Sequence, residues 1–397
     1  MVLNGDKSCD SVRLVHVLNA PFALQYVRGQ ARYMRERGIS VAAITSPGDG
    51  LAEFGSAEEV PVYGIPIVRK ISPIVDLVSL TRLVWLWRRM RPEIVHAHTP
   101  KGGLLGLLSA ALARVPVRVY TIHGLAYMTA AGASGVLLRW TDRISCRLAH
   151  RVICVSPSIQ QVAIEDRICP PGKMVVLANG SANGVDAIHR FNPDRFTRQH
   201  IAALRRDLRI GEGDLVITFI GRIVQDKGID ELAEAWRRLR ARYPHLHLLL
   251  VGPVEERDAV KPTMLQALKD DERAHMLGFH EDVSELLAIS DVVAVPSRRE
   301  GFGIVFIEAG AMGVPVVGAR IPGSVDAVEE GVTGTLVPPL DSACLHDAIR
   351  RYLDDEALRE RHGRAGRERV LRDFPQEPIW KGLHDEYVRL VAEHGAT

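Results

Sequence analysis

Two carboxylates stand eight positions apart in the stretch from Pro296 to Pro315, PSRREGFGIVFIEAGAMGVP. Glu300 follows a short apolar run and two arginines, whereas Glu308 lies in an apolar segment rich in Ala and Gly. This segment predicts a buried helix that begins directly after a glycine-rich turn. The first carboxylate is therefore expected on a loop, and the second about one turn inside the helix.

The turn between the two carboxylates has the properties of an anion site. If the helix begins near Gly303, its first backbone N–H groups are free and its dipole is positive at this end. Gly301 and Gly303 let the backbone approach a bound anion closely. Glu308 follows Ile304 by four positions and shares its helix face. Glu300 and Glu308 can then accept hydrogen bonds from sugar hydroxyls on either side of a phosphate. The alternative is a glycine-rich turn with two solvated glutamates.

A loop earlier in the same half carries two cations, Arg222 and Lys227, in the stretch GRIVQDKG. A strand-like run, Leu215–Ile220, precedes this loop, and a helix-like run, Ile229–Tyr243, follows it. Cations at a junction between a strand and a helix suit the binding of a phosphate. A solvated surface pair is the alternative.

Two histidines in the first half follow predicted parallel strands. His98 ends the strand Ile94–His98, and His123 comes directly after the strand Val117–Ile122. Ligands of open parallel sheets bind outside the carboxyl ends of the strands. We therefore expect His98, Lys101 and His123 to lie on one wall of a cleft. A histidine at a strand end is also often an ordinary hydrogen-bonded polar residue.

The residues after His98 are expected to form a glycine loop that opens a helix over Leu104–Ala113. Lys101, with Gly102 and Gly103 beside it, would make this loop a second phosphate-binding turn.

Strand-like and helix-like runs alternate throughout the chain, which predicts parallel sheets with helices on both faces. The alternation restarts after an irregular, turn-forming stretch that ends near residue 188. We therefore expect an α/β protein with Rossmann-like domains over residues 1–188 and 189–375. A final helix within residues 376–397 is expected to pack back on the first domain. The glycine-rich segment 124–135 is expected to be a mobile loop.

The composition is that of a globular protein of 397 residues, of which 47% are hydrophobic and 25% charged. The longest nearly uncharged helix-like run, Gly102–Ala113, is shorter than the roughly 20 residues that cross a bilayer. The start of the chain does not resemble a secretory signal. The five cysteines show neither disulfide nor metal-ligand spacing. These features predict a cytoplasmic protein without a structural metal.

The two halves of the chain differ in charge. Residues 1–189 contain 21 Lys and Arg against 13 Asp and Glu, a net charge of +8, whereas the remainder carries −6. A basic half favours contact with an anionic membrane surface, and an uneven distribution without function is the alternative. The amphipathic run Ile74–Met90, with two tryptophans and three arginines, fits such a surface or an ordinary core-packing helix. No nucleic-acid partner is expected, because no basic stretch is interleaved with aromatic residues.

Taken together, the stretches GRIVQDKG, PSRREGFGIVFIEAGAMGVPVV and NGVD resemble family 4 glycosyltransferases. The resemblance covers nearly the whole chain and implies the GT-B fold, in which two Rossmann-like domains face each other across a cleft. The stretches HTPKGGLLGLLSA, VYTIHGL and NGSANGVD resemble bacterial capsule and exopolysaccharide enzymes within this family. The resemblance implies a first domain that binds the acceptor and a second that binds a nucleotide sugar. It also implies an acceptor sugar carried on undecaprenyl diphosphate at the inner face of the cytoplasmic membrane.

The resemblance implies a role for each charged residue named above. Arg222 and Lys227 would hold the diphosphate of the donor and neutralise the leaving group, so that neither a metal ion nor another cofactor is needed. Glu300 would bind hydroxyls of the transferred sugar, and His123 would face this sugar from the other domain. Glu308 would bind the ribose.

The rest of the donor site would come from the backbone. Gly303 and Ile304 would present N–H groups to the phosphate, in a donor-binding stretch that includes Gly301 and Phe302. The segment Phe279–Val283 would frame the nucleobase.

One departure from the family concerns the loop after the first strand. Many relatives have two glycines there, whereas this chain has Asn19-Ala20-Pro21-Phe22. This departure shifts the expected phosphate binding toward the second domain.

The family implies a retaining reaction, and the sequence shows no obvious nucleophile or general base. A UDP-sugar is the expected donor, with GDP-mannose or a small soluble acceptor as the alternative. A catalytically silent subunit that binds nucleotide sugars is a further alternative, which the presence of all four charged positions disfavours.

Overall fold

The computed structural model describes residues 14–68, 72–256 and 258–395. The chain folds into two compact units. The first unit holds the chain up to Asn183 together with the segment from Gln376 onward, and the second holds Gly184–Pro375. The division after Asn183 lies a few residues before the expected position at residue 188.

The first unit is a sheet of mostly buried strands covered by helices. Its strands are β1 (Leu14–Val17), β2 (Val41–Thr45), β3 (Val62–Gly64), β4 (Ile94–His98), β5 (Val117–Ile122), β6 (Arg151–Cys154) and β7 (Met174–Val175). Its helices before the second unit are α1 (Gln30–Arg35), α2 (Leu51–Glu58), α3 (Pro73–Met90), α4 (Pro100–Leu112), α5 (Gly132–Leu148) and α6 (Pro157–Glu165).

All seven strands of this sheet are parallel, in the order β3-β2-β1-β4-β5-β6-β7. Side chains alternate across a strand, so Val15 and Val17 of β1 pack into the core under α3, α4 and α5. His16 consequently points to the opposite face. The register pairs His16 with His96 on β4, which places both histidines on that second face.

The second unit repeats this architecture with six strands. They are β8 (Leu215–Ile220), β9 (Leu246–Val251), β10 (Ala274–Gly278), β11 (Val292–Val295), β12 (Val316–Ala319) and β13 (Gly334–Val337). Its helices are α7 (Arg198–Asp207), α8 (Ile229–Arg242), α9 (Pro262–Lys269), α10 (Ser284–Ala288), α11 (Ile304–Ala311), α12 (Ser324–Ala327), α13 (Ser342–Asp354) and α14 (Glu356–Asp373).

The sheet of the second unit is also parallel, in the order β10-β9-β8-β11-β12-β13. Its helices have the expected charge pattern: α8 has Asp230 and Glu231 in its first turn and Arg240 and Arg242 in its last. These charges oppose the helix dipole and stabilise both ends. Two Rossmann-like units with parallel sheets confirm the expected fold class.

The last helix, α15 (Gln376–His394), packs on the first unit. Its buried side chains Ile379, Leu383, Tyr387 and Leu390 join the core cluster on the histidine-bearing face of the first sheet. Their spacing of three or four positions is that of one helix face. The expected return of the final helix to the first domain is confirmed.

The expected loop after His98 is wrong, because α4 already begins at Pro100. Proline is favourable in the first turn of a helix, so Lys101, Gly102 and Gly103 are helical. A Cβ atom at Gly103 would lie 2.4 Å from Cε2 of Tyr120 on β5. Close packing of α4 on the sheet therefore accounts for this glycine.

The segment 124–135 is only partly a loop. It contains a 3-10 turn at Ala126–Met128, and α5 begins at Gly132. Among the described helices, none is both long enough and apolar enough to cross a membrane.

Candidate active site

Lys227 and Glu300 meet at the carboxyl ends of two neighbouring strands. Lys227 closes the 3-10 turn Gln225–Lys227 after β8, and Glu300 lies in the loop after β11. β8 and β11 are paired in the sheet, so both loops leave the sheet at the same edge. The Lys227 Nζ atom lies 2.5 Å from Glu300 Oε1. The structure thus brings together two of the residues singled out in the sequence.

Gly228 allows the two loops to approach each other. Its φ is +73°, and a Cβ atom there would lie 2.0 Å from the carbonyl oxygen of Pro296. A larger residue is excluded at this point, because the turn packs directly on the backbone that leads to Glu300.

Ion pairs fix the same contact between the loops. Arg299 Nη2 donates to Asp226 Oδ2 over 2.6 Å, and Arg298 Nη2 donates to Glu231 Oε1 over 2.8 Å. The two arginines that precede Glu300 therefore hold the loop against the turn that carries Lys227.

Arg222 is also paired with a carboxylate. Its Nη1 donates to Glu255 Oε2 over 2.9 Å, and 30% of its side chain is exposed. Glu255 was not expected from the sequence, since it lies beyond β9. Each of the two predicted phosphate-binding cations therefore has an acidic partner in this structure, and a bound diphosphate would compete with Glu255 and Glu300.

The predicted helix start after Glu300 is confirmed. Gly303 is the N-cap of α11 with a φ of +77°, and no side chain of the described residues caps this helix end. A Cβ atom at Gly303 would lie 2.7 Å from Cδ2 of Phe306. The first N–H groups of this helix therefore point toward the preceding loop, and the binding of an anion by Gly303 and Ile304 stays a prediction.

Phe302 is part of the core. Its ring is 5% exposed and meets the ring of Phe374 edge-on, with 5.3 Å between the centroids. Any contact of Phe302 with a donor must therefore come from its backbone. Gly301 also lies in a crowded position, because a Cβ atom on Gly323 would be 2.8 Å from its carbonyl carbon.

Glu308 lies inside α11 in an environment that disfavours its charge. The pKa of this carboxyl is raised to about 7, chiefly by loss of hydration, while Arg190 lowers it and Asp282 raises it to smaller extents. Arg190 and Asp282 form an ion pair with 3.4 Å between Nε and Oδ1. Neither was expected as a site residue, although Asp282 falls in the segment predicted to frame the nucleobase.

In the first unit, His98 and His123 are joined by a hydrogen bond. The His98 Nδ1 atom lies 3.0 Å from His123 Nε2. Tyr26 stacks on the His123 ring with 4.3 Å between the centroids. Burial lowers the pKa of His123 to about 3, so the ring is neutral at physiological pH.

Two further histidines lie next to this pair. His16 Nδ1 is 3.0 Å from His98 Nε2, and the two nitrogens of His96 are bonded to Tyr387 and Thr121. In the stretches VHV, with His16, and IVHAH, with His96 and His98, the histidines alternate with apolar residues. This alternation shows that the histidines of each strand lie on one sheet face. Only the register of β1 on β4 shows that they are neighbours.

His16, His96 and His98 are the one group in the described residues whose ligand atoms lie close enough to hold a metal ion, all within 4.8 Å. Both ring nitrogens of His96 and both of His98 are engaged in hydrogen bonds. A metal ion would have to replace some of these bonds, so the arrangement favours a hydrogen-bonded network.

Lys101 forms an ion pair within the first unit. Its Nζ lies 2.7 Å from Oδ1 of Asp76 on α3. The structure therefore joins His98 to His123 directly and pairs Lys101 with a carboxylate of the neighbouring helix. A phosphate-binding role of Lys101, Gly102 and Gly103 stays a prediction.

Comparison with known proteins covers both units. The family model for the "Glycosyl transferase 4-like domain" matches residues 23–180, and the model for "Glycosyl transferases group 1" matches residues 200–369. The chain is 29% identical to the capsular polysaccharide biosynthesis glycosyltransferase CapM of Staphylococcus aureus, over 96% of this chain and 98% of CapM.

Two other proteins are similar along most of the chain. An Escherichia coli UDP-Gal:alpha-D-GlcNAc-diphosphoundecaprenol alpha-1,3-galactosyltransferase is 29% identical over 76% of this chain and 77% of that enzyme. The structure of HepE from Anabaena in complex with UDP and glucose superimposes with a TM-score of 0.80 and 22% identity, over 95% of this chain and 99% of HepE. The matched units, the family models and these relatives show that the chain belongs to the group 1 glycosyltransferases, with the family 4 type of first domain.

Proposed function

We propose that this glycosyltransferase transfers a hexose or N-acetylhexosamine from a UDP-sugar to a lipid-linked glycan in the assembly of a surface polysaccharide. The observation that carries the proposal is the contact of Lys227 with Glu300 beside the N terminus of α11, which no side chain in the described part of the chain caps. It provides a cation for a diphosphate next to an acceptor for sugar hydroxyls. The relatives support the type of substrate, since one is named for capsular polysaccharide and one for a diphosphoundecaprenol acceptor.

Donor binding would exchange the partners of the charged residues. Lys227 and Arg222 would move from Glu300 and Glu255 to the diphosphate, whose two negative charges can engage both cations through charge-assisted hydrogen bonds. Glu300 would then be free to accept hydrogen bonds from the transferred sugar. The N–H groups of Gly303 and Ile304 would bind a phosphate oxygen, and His123 would contact the transferred sugar.

The proposed reaction is retaining and uses no metal ion. The bond between the anomeric carbon and the diphosphate oxygen breaks while the acceptor hydroxyl attacks from the same face. The departing phosphate oxygen takes the proton of the acceptor. Arg222 and Lys227 stabilise the negative charge that develops on the leaving group, which is the largest contribution the protein would make.

The test is a panel of UDP-sugars and GDP-sugars, each offered with an undecaprenyl-diphosphate-linked sugar or a soluble sugar, with nucleotide release as the measurement. UDP release that depends on the lipid-linked acceptor supports the proposal. Release from GDP-mannose, or release with a soluble acceptor alone, would favour the alternative transferase. Absence of release with every pair would favour a silent nucleotide-sugar-binding subunit.

Glu308 makes UDP binding dependent on pH. Its raised pKa of about 7 means that the carboxyl is largely protonated below this value and accepts fewer hydrogen bonds from a ribose. The free protein loses stability as the pH rises from the ordinary value of a carboxyl toward about 7, because the ionised form is poorly hydrated. Ribose hydroxyls stabilise this ionised form. We therefore expect UDP to bind up to about tenfold more tightly at pH 8 than at pH 6.

Calorimetric titration of UDP across this pH range measures the effect. Glu308→Gln is the matched control, since it keeps the shape of the side chain but does not titrate. The UDP affinity of Glu308→Gln should vary with pH only because the phosphates of the nucleotide titrate. Identical pH profiles for the wild type and Glu308→Gln would show that Glu308 does not bind the ribose.

A surface of the first unit supports the contact with a membrane. α3 exposes four large apolar side chains and α5 exposes four more, and both helices pack against α4. Trp85 and Trp140 are 61% and 55% exposed, and each has an arginine near its ring. The apolar side chains are Ile74, Leu77, Val78 and Trp85 of α3, and Val136, Leu137, Trp140 and Ile144 of α5.

This pattern is typical of helices that lie at the interface of an anionic membrane, with apolar side chains inserted and arginines at the head groups. The sequence left α3 open between this role and that of an ordinary core-packing helix, and α5 adds a second candidate. A protein held in this way would meet an acceptor whose lipid stays in the bilayer.

The double variant Trp85→Ser with Trp140→Ser is expected to bind anionic vesicles at least about tenfold more weakly, since each large apolar side chain contributes about 1.5–3 kcal/mol when it leaves water. Flotation with phosphatidylglycerol vesicles measures the bound fraction. Val388→Ser is the control, because it removes an exposed apolar residue from α15, on the other face of the sheet. Equal flotation of the double variant and the wild type would exclude this surface.

A further inference from the structure

Three histidines of the first unit form one hydrogen-bonded row, the histidine relay: His16, His98 and His123. His16 Nδ1 lies 3.0 Å from His98 Nε2, and His98 Nδ1 lies 3.0 Å from His123 Nε2. His16 and His98 are 1% and 3% exposed, whereas His123 is only partly buried. The relay therefore runs from the core of the first unit to a residue of the proposed site.

All three rings are neutral. Loss of hydration lowers the pKa of His16 and of His123 to about 3, and that of His98 well below its ordinary value. A neutral imidazole has one N–H and one bare nitrogen, so each contact in the row needs a donor on one ring and an acceptor on the next. The position of one proton consequently fixes the other two, and only two arrangements of the relay exist.

The buried end of the relay decides between these arrangements. Within the described part of the chain, Nε2 of His16 is buried without a hydrogen-bond partner. A buried N–H without an acceptor is rare and loses the full free energy of its hydration. The arrangement that avoids it has the proton of His16 on Nδ1, which donates to His98, and the proton of His98 on Nδ1, which donates to His123.

We infer that the histidine relay holds His123 as the tautomer with its proton on Nδ1, so that the ring presents a hydrogen-bond donor to an oxygen of the bound sugar. His16 and His98 are then positioning residues that act through His123. Tyr26 completes the arrangement, because its stacking fixes the plane of the ring. The identity of the ligand rests on the proposed function, in which His123 faces the donor sugar.

The inferred tautomer also limits what His123 can do in the reaction. Nε2 is occupied by the hydrogen bond from His98, and Nδ1, on the other side of the ring, already carries a proton. His123 can therefore donate a hydrogen bond but cannot take the proton of the acceptor hydroxyl. This agrees with a transfer in which the leaving phosphate receives that proton.

Long-range proton–nitrogen correlation spectra of the full chain labelled with 15N-histidine test the inference without any activity measurement. Spectra at neutral pH distinguish the two neutral tautomers of each ring, and the variants of each histidine assign the signals. We expect the proton on Nδ1 in His16, His98 and His123. A proton on Nε2 of His123 would overturn the inference, whether or not a donor sugar has been identified.

Two variants of His98 then separate positioning from packing. His98→Asn keeps an N–H near the place of Nδ1 that can donate to His123, whereas His98→Phe keeps the ring volume but has no donor. With the donor and acceptor found in the panel, we expect His98→Phe to lower kcat/KM by about 10-fold to 100-fold, because removal of one partner leaves the buried ring nitrogen of the other without its hydrogen bond. The fall in kcat/KM should be clearly smaller for His98→Asn.

The spectra of His98→Phe should also show His123 as a mixture of both tautomers. A role in packing alone predicts the reverse order of activity, with His98→Phe the better enzyme. That order, or a single unchanged tautomer of His123 in folded His98→Phe, would overturn the relay. Thermal unfolding of both variants shows whether a loss of activity comes from a loss of fold.

Discussion

Replacement of Lys227 by alanine is expected to remove nearly all sugar transfer, with kcat falling by about 100-fold to 1000-fold. The proposed function places its ammonium group on the donor diphosphate, where negative charge grows as the bond to the sugar breaks. A fixed cation stabilises this state more than the bound substrate, and such an interaction raises kcat. In the free protein the Nζ atom already lies 2.5 Å from Glu300 with 20% of its side chain exposed. The cation is therefore held at the site before the donor arrives.

The measurement is kcat with the donor and acceptor found in the panel, together with the UDP affinity and the unfolding temperature. Arg237→Ala is the matched control, because Arg237 is a 70% exposed cation of α8 that pairs with Glu234 of the same helix. This variant changes the net charge equally and should keep its activity. Near-native turnover of folded Lys227→Ala would show that the assigned role is wrong, and an equal loss in Arg237→Ala would indicate a general charge effect.

The loops of the second unit were predictable from the sequence because their signals are local. A glycine before an apolar run placed the start of a helix near Gly303, and α11 begins at Ile304. A cation-rich turn after a strand placed Lys227 at the sheet edge. What brings Lys227 to Glu300 was not visible, since the approach depends on the space that Gly228 leaves beside Pro296.

The partners of the site residues could not be predicted, because they come from distant parts of the chain. Glu255 reaches Arg222 from beyond β9, and Arg190 and Asp282 influence Glu308 from separate segments. Spacing rules describe one helix or one strand, whereas these contacts depend on how several loops pack on the sheet.

The first unit shows how packing overrides a local pattern. Gly102 and Gly103 indicated a phosphate-binding loop, yet both lie in α4, where Tyr120 leaves no room for a Cβ atom at Gly103. The histidines on β1 and β4 were visible in the sequence as alternating residues. Their joining into one relay with His123 depends on the register between strands, which the sequence does not show.

The pairing of Lys227 with Glu300 has a consequence for how binding and transfer are connected. The opposite charges of Lys227 and Glu300 stabilise the contact between their loops, but under the proposed function the carboxylate would also compete with the donor diphosphate for the ammonium group. Removal of either residue leaves the other without its partner. The two single variants should therefore have opposite effects on the binding of UDP, although both lose transfer.

The Glu300→Ala variant is expected to separate binding from transfer. It should lower kcat by about 100-fold or more, because the hydroxyls of the transferred sugar lose their charged acceptor. UDP, which lacks the transferred sugar that would contact Glu300, should bind at least as tightly as to the wild type, since Lys227 no longer has a competing carboxylate. Lys227→Ala should instead weaken UDP binding.

Calorimetric titration with UDP and initial rates with the full donor measure the two effects. Weaker UDP binding by folded Glu300→Ala would show that Glu300 acts on the nucleotide and not on the sugar. Glu300→Gln keeps one acceptor oxygen but no charge, so its kcat should lie between that of Glu300→Ala and that of the wild type. This order would show that the loss of kcat comes from lost hydrogen bonds with the sugar.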